Sequence, residues 1–237
     1  MNKLISKILD IIFPKRCVFC GKKLDTKYKI CLCEKCKDVA FINKSAPRQF
    51  EKKFFENIIC CMSYKGYARK CFLKYKFSDV RYYSSTYAEM IYFKIKNVPE
   101  YKNADFVTCV PLSEKRLKER GYNQSQLISH KIAELLNKPH IDDMLIKRKD
   151  TKPFSSLSVK ERRRLVRGSY IYNDKYDITG KNIILIDDIY TSGATLNECS
   201  KVLKMYGANG VYCASLFDAE LDVRRKYEGK NIHNTHK

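Results

Sequence analysis

The sequence predicts an α/β fold whose parallel sheet is covered by helices on both faces. Several short segments are apolar throughout, and segments with helical patterning separate them. Strands buried on both faces have continuous apolar sequences, whereas half-exposed strands alternate between apolar and polar residues. Strands that alternate with helices favour parallel pairing. The four predicted strands lie in FENIICCMSYKG, ADFVTCVPL, KNIILIDD and GVYCASLF.

The predicted helices lie between these strands. Helical patterning occurs in GYARKCFLKYKFSD, in STYAEMIYFKIKN and in NQSQLISHKIAELLN. The last of these segments has an apolar side, formed by Leu127, Ile128, Ile132, Leu135 and Leu136. A further helix is expected from about Thr195 to Tyr206, with Gly207 as its C-terminal stop.

The chain is expected to have three parts. Residues 1–44 hold an amphipathic N-terminal helix and a four-cysteine unit, and residues 45–220 form the α/β domain. Residues 221–237 form a basic, polar tail, which is the kind of segment that frays.

Two pairs of cysteines predict a structural zinc site. Cys17 and Cys20 form one C-x2-C pair, and Cys33 and Cys36 form another, with twelve residues between the pairs. Four thiolates suit a tetrahedral zinc ion with no open position for catalysis. Cys31 is either a substitute ligand for Cys33 or a bystander, and free cytosolic thiols are the competing interpretation of the whole cluster.

The charge balance predicts anionic partners. The 237 residues include 47 Lys plus Arg and 26 Asp plus Glu, a net charge of +21. Such a surface attracts nucleic acid or phosphorylated small molecules, although a Lys-rich composition alone accounts for part of the charge. No apolar run is long enough for a membrane span. Scattered cysteines without a secretion signal favour the cytoplasm.

The stretch IILIDDIYTSGAT predicts a site for a phosphorylated sugar. Asp187 and Asp188 stand at the end of a buried strand, where parallel sheets bind ligands. The loop that follows offers free backbone N–H groups at a helix N-terminus, which favour a phosphate. The carboxylates suit sugar hydroxyls and would stabilise positive charge on the ring. The loop residues are Thr191, Ser192, Gly193, Ala194 and Thr195.

This stretch resembles the thirteen-residue phosphoribosyl pyrophosphate (PRPP) motif of type I phosphoribosyltransferases. The resemblance implies a type I phosphoribosyltransferase-like sheet. It also implies that Asp187 and Asp188 contact the ribose hydroxyls and act electrostatically, while residues 191–195 hold the 5-phosphate. Magnesium is expected to bridge pyrophosphate and ribose oxygens.

A second segment, CVPLSEKRLKERGYNQ, resembles the ComF family of competence-associated, phosphoribosyltransferase-like proteins. The four-cysteine unit and LKYKF near Leu73 extend the resemblance over nearly the whole chain. Two positions depart from it, since Phe154 stands where Gln is usual and Leu165 where Asn is usual. The resemblance implies a mobile basic loop over the site and pyrophosphate contacts from Val110, Pro111, Leu112, Ser113, Arg116, Lys118 and Arg120.

Two functions of different classes remain open at this stage. The first is a factor of natural transformation that handles incoming single-stranded DNA, with DNA-uptake proteins as partners. Its support is the ComF resemblance, the basic surface and 17 tyrosines suited to base stacking. The second is an active phosphoribosyltransferase that uses an unidentified amine or base as acceptor. No segment for recognising the acceptor and no nucleophilic triad is identifiable.

Overall fold

The structure is a computed structural model that describes residues 14–25, 28–42, 47–78, 80–149 and 159–219. The helix predicted within residues 1–13 and the tail predicted at residues 221–237 lie outside the described residues.

A five-stranded sheet forms the centre of the molecule, with strand order β1-β2-β7-β6-β3. Strands β2, β7, β6 and β3 run parallel, and the short β1 pairs antiparallel with β2 at one edge. A separate antiparallel pair, β4 and β5, lies beside this sheet. The predicted, mostly parallel sheet is therefore confirmed. The strands are β1 (Arg48–Gln49), β2 (Asn57–Ser63), β3 (Phe106–Cys109), β4 (Leu145–Lys147), β5 (Tyr170–Tyr172), β6 (Asn182–Tyr190) and β7 (Gly210–Asp218).

Eight helices are described, and each predicted helix in the described part of the chain is present. The helix after the acidic pair spans 194–205 and is followed by Gly207, whose φ of 92° suits the stop that the sequence predicted. The helices are α1 (Glu34–Ile42), α2 (Gly66–Phe77), α3 (Tyr83–Ile95), α4 (Pro99–Lys102), α5 (Glu114–Arg120), α6 (Gln124–Leu136), α7 (Val159–Val166) and α8 (Ala194–Met205).

Successive residues of β6 contribute to two different cores. Ile184 and Ile186 pack with α2, α3 and α6, whereas Ile183 and Leu185 pack with α8 and the β4–β5 pair. Because side chains alternate along a strand, this division shows that helices cover both faces of the sheet. The continuous apolar run in β6 is explained by burial on both sides.

The four-cysteine unit packs into the first of these cores. Val18 and Leu32 are fully buried there together with Tyr75 of α2. The backbone N–H of Cys31 donates a hydrogen bond to Oγ1 of Thr86 in α3, at 2.8 Å. The unit thus rests on α2 and α3, while the division of the chain at residue 44 stays a prediction.

Two segments differ from the sequence prediction. Strand β6 continues to Tyr190, two residues past the acidic pair, because β7 pairs with it as far as Asp218. Residues 114–120 form helix α5 where a mobile loop was expected. Ser113 precedes this helix in extended backbone, and Gly121 ends it with a left-handed φ of 74°, so both ends are well defined.

No helix among the described residues is long and apolar enough to cross a membrane.

Candidate functional site

The acidic pair lies at the carboxyl edge of the sheet. Strand β3 pairs with β6 only as far as Cys109 and Ile186, so Asp187 and Asp188 follow directly after this pairing ends. On the other side, β7 still pairs with β6, and Asp187 lies opposite Ser215. The cleft left by the shorter β3 is where ligands bind in open parallel sheets.

Asp187 is costly to ionise in this position. Burial and, to a lesser degree, the charge of Asp188 raise the pKa of Asp187 to about 7. The backbone N–H of Asp188 donates to Oδ1 of Asp187 at 2.8 Å and opposes this shift, as do the charges of Lys76 and Lys147. Asp187 therefore takes up or releases a proton near neutral pH.

Asp188 forms an ion pair with a lysine that the sequence analysis did not select. Nζ of Lys76 lies 2.5 Å from Oδ2 of Asp188, and both side chains are largely buried. Lys76 stands in the last turn of α2, within the LKYKF segment that had contributed to the family resemblance. The sequence signal was therefore present, but only the tertiary fold brings Lys76 to the acids.

The loop after β6 has the shape and the free donors expected of a phosphate cradle. Gly193 has a left-handed φ of 68°, and a Cβ there would lie 2.7 Å from the ring of Tyr190. The buried hydroxyl of Ser192 has no hydrogen-bond partner among the described residues, while its carbonyl accepts from Nζ of Lys53 at 3.2 Å. An unsatisfied buried hydroxyl is costly, so this loop is suited to a polar ligand.

The loop predicted to bind pyrophosphate, residues 110–113, follows β3 directly and is bonded to β6 just before the acidic pair. The Val110 N–H donates to the Ile186 carbonyl at 2.9 Å, and the Val110 carbonyl accepts from Nδ2 of Asn123 at 3.1 Å. These two bonds hold the loop in place, but they occupy both the N–H and the carbonyl of Val110. Since Pro111 has no N–H group, the donors left for a ligand are at Leu112 and Ser113. The buried Ser113 hydroxyl has no hydrogen-bond partner within the described ranges.

Helix α5 carries the two arginines predicted to contact pyrophosphate, Arg116 and Arg120. Nη1 of Arg120 donates to Oε1 of Gln124 at 3.1 Å. Burial lowers the pKa of Arg120, and the charge of Asp188 opposes that shift, which places this guanidinium near the acidic pair. Arg120 remains a strong cation at any physiological pH.

The four cysteines predicted to bind zinc converge. Their Sγ atoms all lie within 4.8 Å of one another, and those of Cys20 and Cys33 are 3.7 Å apart. A tetrahedral ion with zinc–sulfur bonds of about 2.3 Å places its ligands about 3.8 Å apart. The cluster is thus compatible with a structural zinc ion. Its members are Cys17, Cys20, Cys33 and Cys36, and Cys31 is not among them.

The turn that follows the first two thiols contains a glycine in a strained position. Gly21 has a left-handed φ of 76°, and a Cβ there would lie 2.5 Å from the ring of Tyr67. Tyr67 belongs to α2, so the metal site and α2 are in direct contact. Within the cluster, burial opposes ionisation of Cys33, but the Cys36 backbone and neighbouring thiols lower its pKa to about 7. A thiol that ionises easily is a good zinc ligand.

The later segment that departs from the family pattern is only partly described. Phe154 lies outside the described residues. Leu165 lies on α7 and is half-buried, and the backbone N–H of Arg148 donates to the Ser169 carbonyl at 2.9 Å.

With this geometry in view, comparisons with known proteins indicate the family. The phosphoribosyl transferase domain family matches residues 120–235. Competence protein F of Haemophilus influenzae is 29% identical over 142 residues, which cover 58% of this chain and 62% of that protein. Competence protein ComFC of Streptococcus pneumoniae is 32% identical over 155 residues, 65% of this chain and 64% of that protein. The resemblance to the ComF family is confirmed.

A further competence protein and a solved structure are also similar to this chain. The ComFC protein of Bacillus subtilis is 37% identical over 105 residues, 44% of this chain and 40% of that protein. This chain spans less than two thirds of the length of these curated relatives. A crystal structure of adenine phosphoribosyltransferase from Thermoanaerobacter pseudethanolicus is 12% identical, with a TM-score of 0.41 over 65% of this chain and 79% of that chain.

Proposed function

We propose that this ComF-type protein binds PRPP at the carboxyl edge of its sheet and acts in DNA uptake by handling incoming single-stranded DNA. The single observation that supports the sugar site is that the loops after β3 and β6 each carry a buried serine hydroxyl, Ser113 and Ser192, with no hydrogen-bond partner in the described part of the chain. The acidic pair, Asp187 and Asp188, lies near the end of β6, where the pairing with β3 has stopped. The role in DNA uptake rests on the curated relatives named competence proteins.

Each part of PRPP has a matching part of the cleft in this proposal. The hydroxyl and backbone donors of residues 191–195 hold the 5-phosphate at the start of α8. Asp187 and Asp188 accept hydrogen bonds from the ribose hydroxyls. The pyrophosphate lies between Ser113 and the cationic side chains of Lys76 and Arg120.

The acidic pair would also meet the magnesium ion that accompanies PRPP. Carboxylate oxygens are ligands that magnesium accepts, and the bound ion would neutralise the pyrophosphate. Because Asp187 has a pKa of about 7, it must lose its proton before it acts as a full carboxylate toward such a ligand. Affinity for PRPP is therefore expected to rise between pH 6 and pH 8.

Calorimetry with PRPP and magnesium tests the sugar site. Wild-type protein should bind PRPP, and Asp188→Asn should weaken binding at least tenfold, because this change removes one acceptor and leaves Lys76 without its partner. Asp174→Asn, an exposed acid outside the cleft, serves as the matched control. Equal affinities for all three proteins would contradict the proposed site.

An active transferase is the second candidate, and the acidic pair favours it. Two carboxylates beside the ribose would stabilise positive charge on the ring as the pyrophosphate leaves. Pyrophosphate should then be released from PRPP only when an amine or base acceptor is added, and Asp188→Asn should abolish the release. If no acceptor produces turnover while PRPP still binds, the binding role alone remains.

Single-stranded DNA binding is tested separately from sugar binding. Fluorescence anisotropy with a labelled oligonucleotide should show binding that weakens steeply as salt rises, since cations on the protein displace counterions from the phosphates. Asp187→Asn should leave this binding unchanged. Absence of binding by the wild-type protein at physiological salt would contradict the DNA-handling part of the proposal.

A further inference from the structure

A basic groove lies between α7 and α8, on the side of the sheet opposite α2 and α3. It encloses a cavity of about 680 Å³. Residues from three separate segments line it, namely the loop before β2, α7 with the residue that follows it, and α8. Its cationic side chains are Lys53, Lys160, Arg163, Arg164, Arg167 and Lys201.

The groove has a strong positive charge. Two carboxylates, Glu161 and Glu198, also line it, against six cations. Oε1 of Glu198 accepts a hydrogen bond from the Gly168 backbone N–H at 2.7 Å, so one of these carboxylates holds the turn after α7. Arg163 and Arg164 are both exposed. A cationic concave surface of this kind concentrates a polyanion.

An exposed aromatic ring lies at the same groove. Phe54 is 45% exposed, although removing a phenyl ring from water is favourable. Its backbone N–H donates to Oδ1 of Asn197 in α8 at 2.9 Å, and this bond holds the segment that carries the ring against the groove. An exposed ring beside cations is the arrangement with which proteins stack the bases of an unpaired strand.

The groove is continuous with the sugar-phosphate loop but does not use its acids. Lys53 lines the groove and also donates through Nζ to the Ser192 carbonyl. Ala194 and Asn197 at the start of α8 belong to the groove wall. Neither Asp187 nor Asp188 lines it. Binding there therefore does not require the acidic pair.

We propose that this groove binds the backbone of single-stranded nucleic acid, with Phe54 stacking on one unpaired base. The inference rests on the proposed function, because it assigns a place to the strand that this function requires. The cations contact successive phosphates, and the ring distinguishes a single strand from a duplex, whose bases are already stacked on one another.

Anisotropy titrations with a labelled 20-nucleotide single strand test the groove. The double variant Arg163→Ala/Arg164→Ala should bind at least tenfold more weakly at physiological salt. Losing two phosphate contacts should also flatten the slope of log K against log salt by about 1.4, at roughly 0.7 for each contact to a single strand. Lys70→Ala/Lys102→Ala is the charge-matched control, because both lysines are exposed on α2 and α4, outside the groove.

The aromatic contact has its own variant. Phe54→Ala should weaken single-strand binding about tenfold, the order expected for one stacked base, and should leave the salt slope unchanged. Binding of a duplex of the same length should not change. Phe93→Ala, at an exposed ring on α3, is the matched control and should bind like the wild type. PRPP affinity, measured in parallel, shows that each variant is folded.

The outcomes separate the groove from the proposed function. If the wild type binds the single strand but the groove pair and the control pair lose equal affinity, the groove is wrong and the DNA-handling function stands. If the wild type does not bind the strand, the DNA-handling function fails and the groove fails with it. If a duplex binds as tightly as the single strand and Phe54→Ala has no effect, the assignment to single strands is overturned.

Discussion

At the scale of single residues, Asp187 has the clearest thermodynamic consequence. Its pKa rises from an ordinary value of 3.8 to about 7 because it is buried beside a second acid. Between these two pH values, the folded protein keeps a proton that the unfolded chain has released. The free energy of unfolding therefore falls as pH rises through this range. The destabilisation caused by ionised Asp187 is fully present above pH 7.

Asp187→Asn should reverse this cost in the ligand-free protein. The amide stays neutral and keeps an oxygen that accepts the hydrogen bond from the Asp188 N–H. The difference in the free energy of unfolding between variant and wild type should therefore shift in favour of the variant by about 2 kcal/mol from pH 5 to pH 8. Denaturant unfolding at both pH values measures the difference. The exposed Asp174→Asn serves as control and should show no such growth. An advantage that is equal at both pH values would contradict the raised pKa.

Gly193 and Gly180 form a matched pair for testing the phosphate cradle. Both have a left-handed φ, of 68° and 70°, but only Gly193 has a neighbouring ring where a Cβ would lie. Alanine at either position should cost about 1 kcal/mol of stability from backbone strain. Only Gly193→Ala should also displace Tyr190 and weaken PRPP binding, by at least tenfold in calorimetry. A similar loss of affinity in Gly180→Ala would show that backbone strain alone is responsible.

At the scale of elements, α2 contributes the charge that neutralises the acidic pair. Lys76→Met should weaken PRPP binding about tenfold, and ribose 5-phosphate binding less, because the lysine lies on the side proposed for the pyrophosphate. It should also move the pH dependence of binding upward, since Lys76 lowers the pKa of Asp187. Calorimetry with both ligands at several pH values measures these effects.

The control for Lys76 lies on the same helix. Lys74 is exposed in the last turn of α2, and Lys74→Met should leave both ligands bound as in the wild type. Equal losses for PRPP and ribose 5-phosphate in Lys76→Met would mean that Lys76 acts only by holding Asp188, and the proposed pyrophosphate contact would be wrong.

The elements also show which parts of the site were predictable. The acidic pair and its loop are contiguous in sequence, so their chemistry was predicted from a single stretch. The pairing of β6 with β7 decides where β6 ends. A helix that Gly121 ends in left-handed backbone forms where a loop was expected. Lys76, Lys147 and the groove cations come from elements far apart in sequence. Their proximity follows from sheet order, which local patterning does not contain.

At the scale of the whole molecule, the metal unit and the sugar site are connected through one helix. The cysteine pattern predicted the four metal ligands, because their spacing is local. It did not predict that Gly21 would lie against Tyr67, or that Leu32 would share a core with Tyr75. Both tyrosines belong to α2, whose last turn carries Lys76. The position of α2 therefore depends on the folded metal unit.

Loss of zinc should consequently weaken ligand binding, although no cysteine of the cluster lies in the proposed sugar site. Small four-cysteine units need their metal to fold, so Cys33→Ala should lose near-stoichiometric zinc and lower the unfolding temperature. Since α2 then lacks its packing partner, PRPP affinity should fall severalfold. Metal analysis, thermal unfolding and calorimetry on anaerobically purified protein measure the three effects.

Cys31→Ala separates metal loss from the loss of a buried thiol. Cys31 is as buried as Cys33 but stands outside the four-sulfur cluster, and alanine retains the hydrogen bond from its backbone N–H to Thr86. This variant should keep its zinc and its PRPP affinity and lose only the stability that comes from the buried thiol, namely its packing and its own contact with Thr86. Zinc-free Cys33→Ala protein with unchanged PRPP affinity would show that α2 holds Lys76 in place without the metal unit, because the sheet and α3 would then suffice to position it.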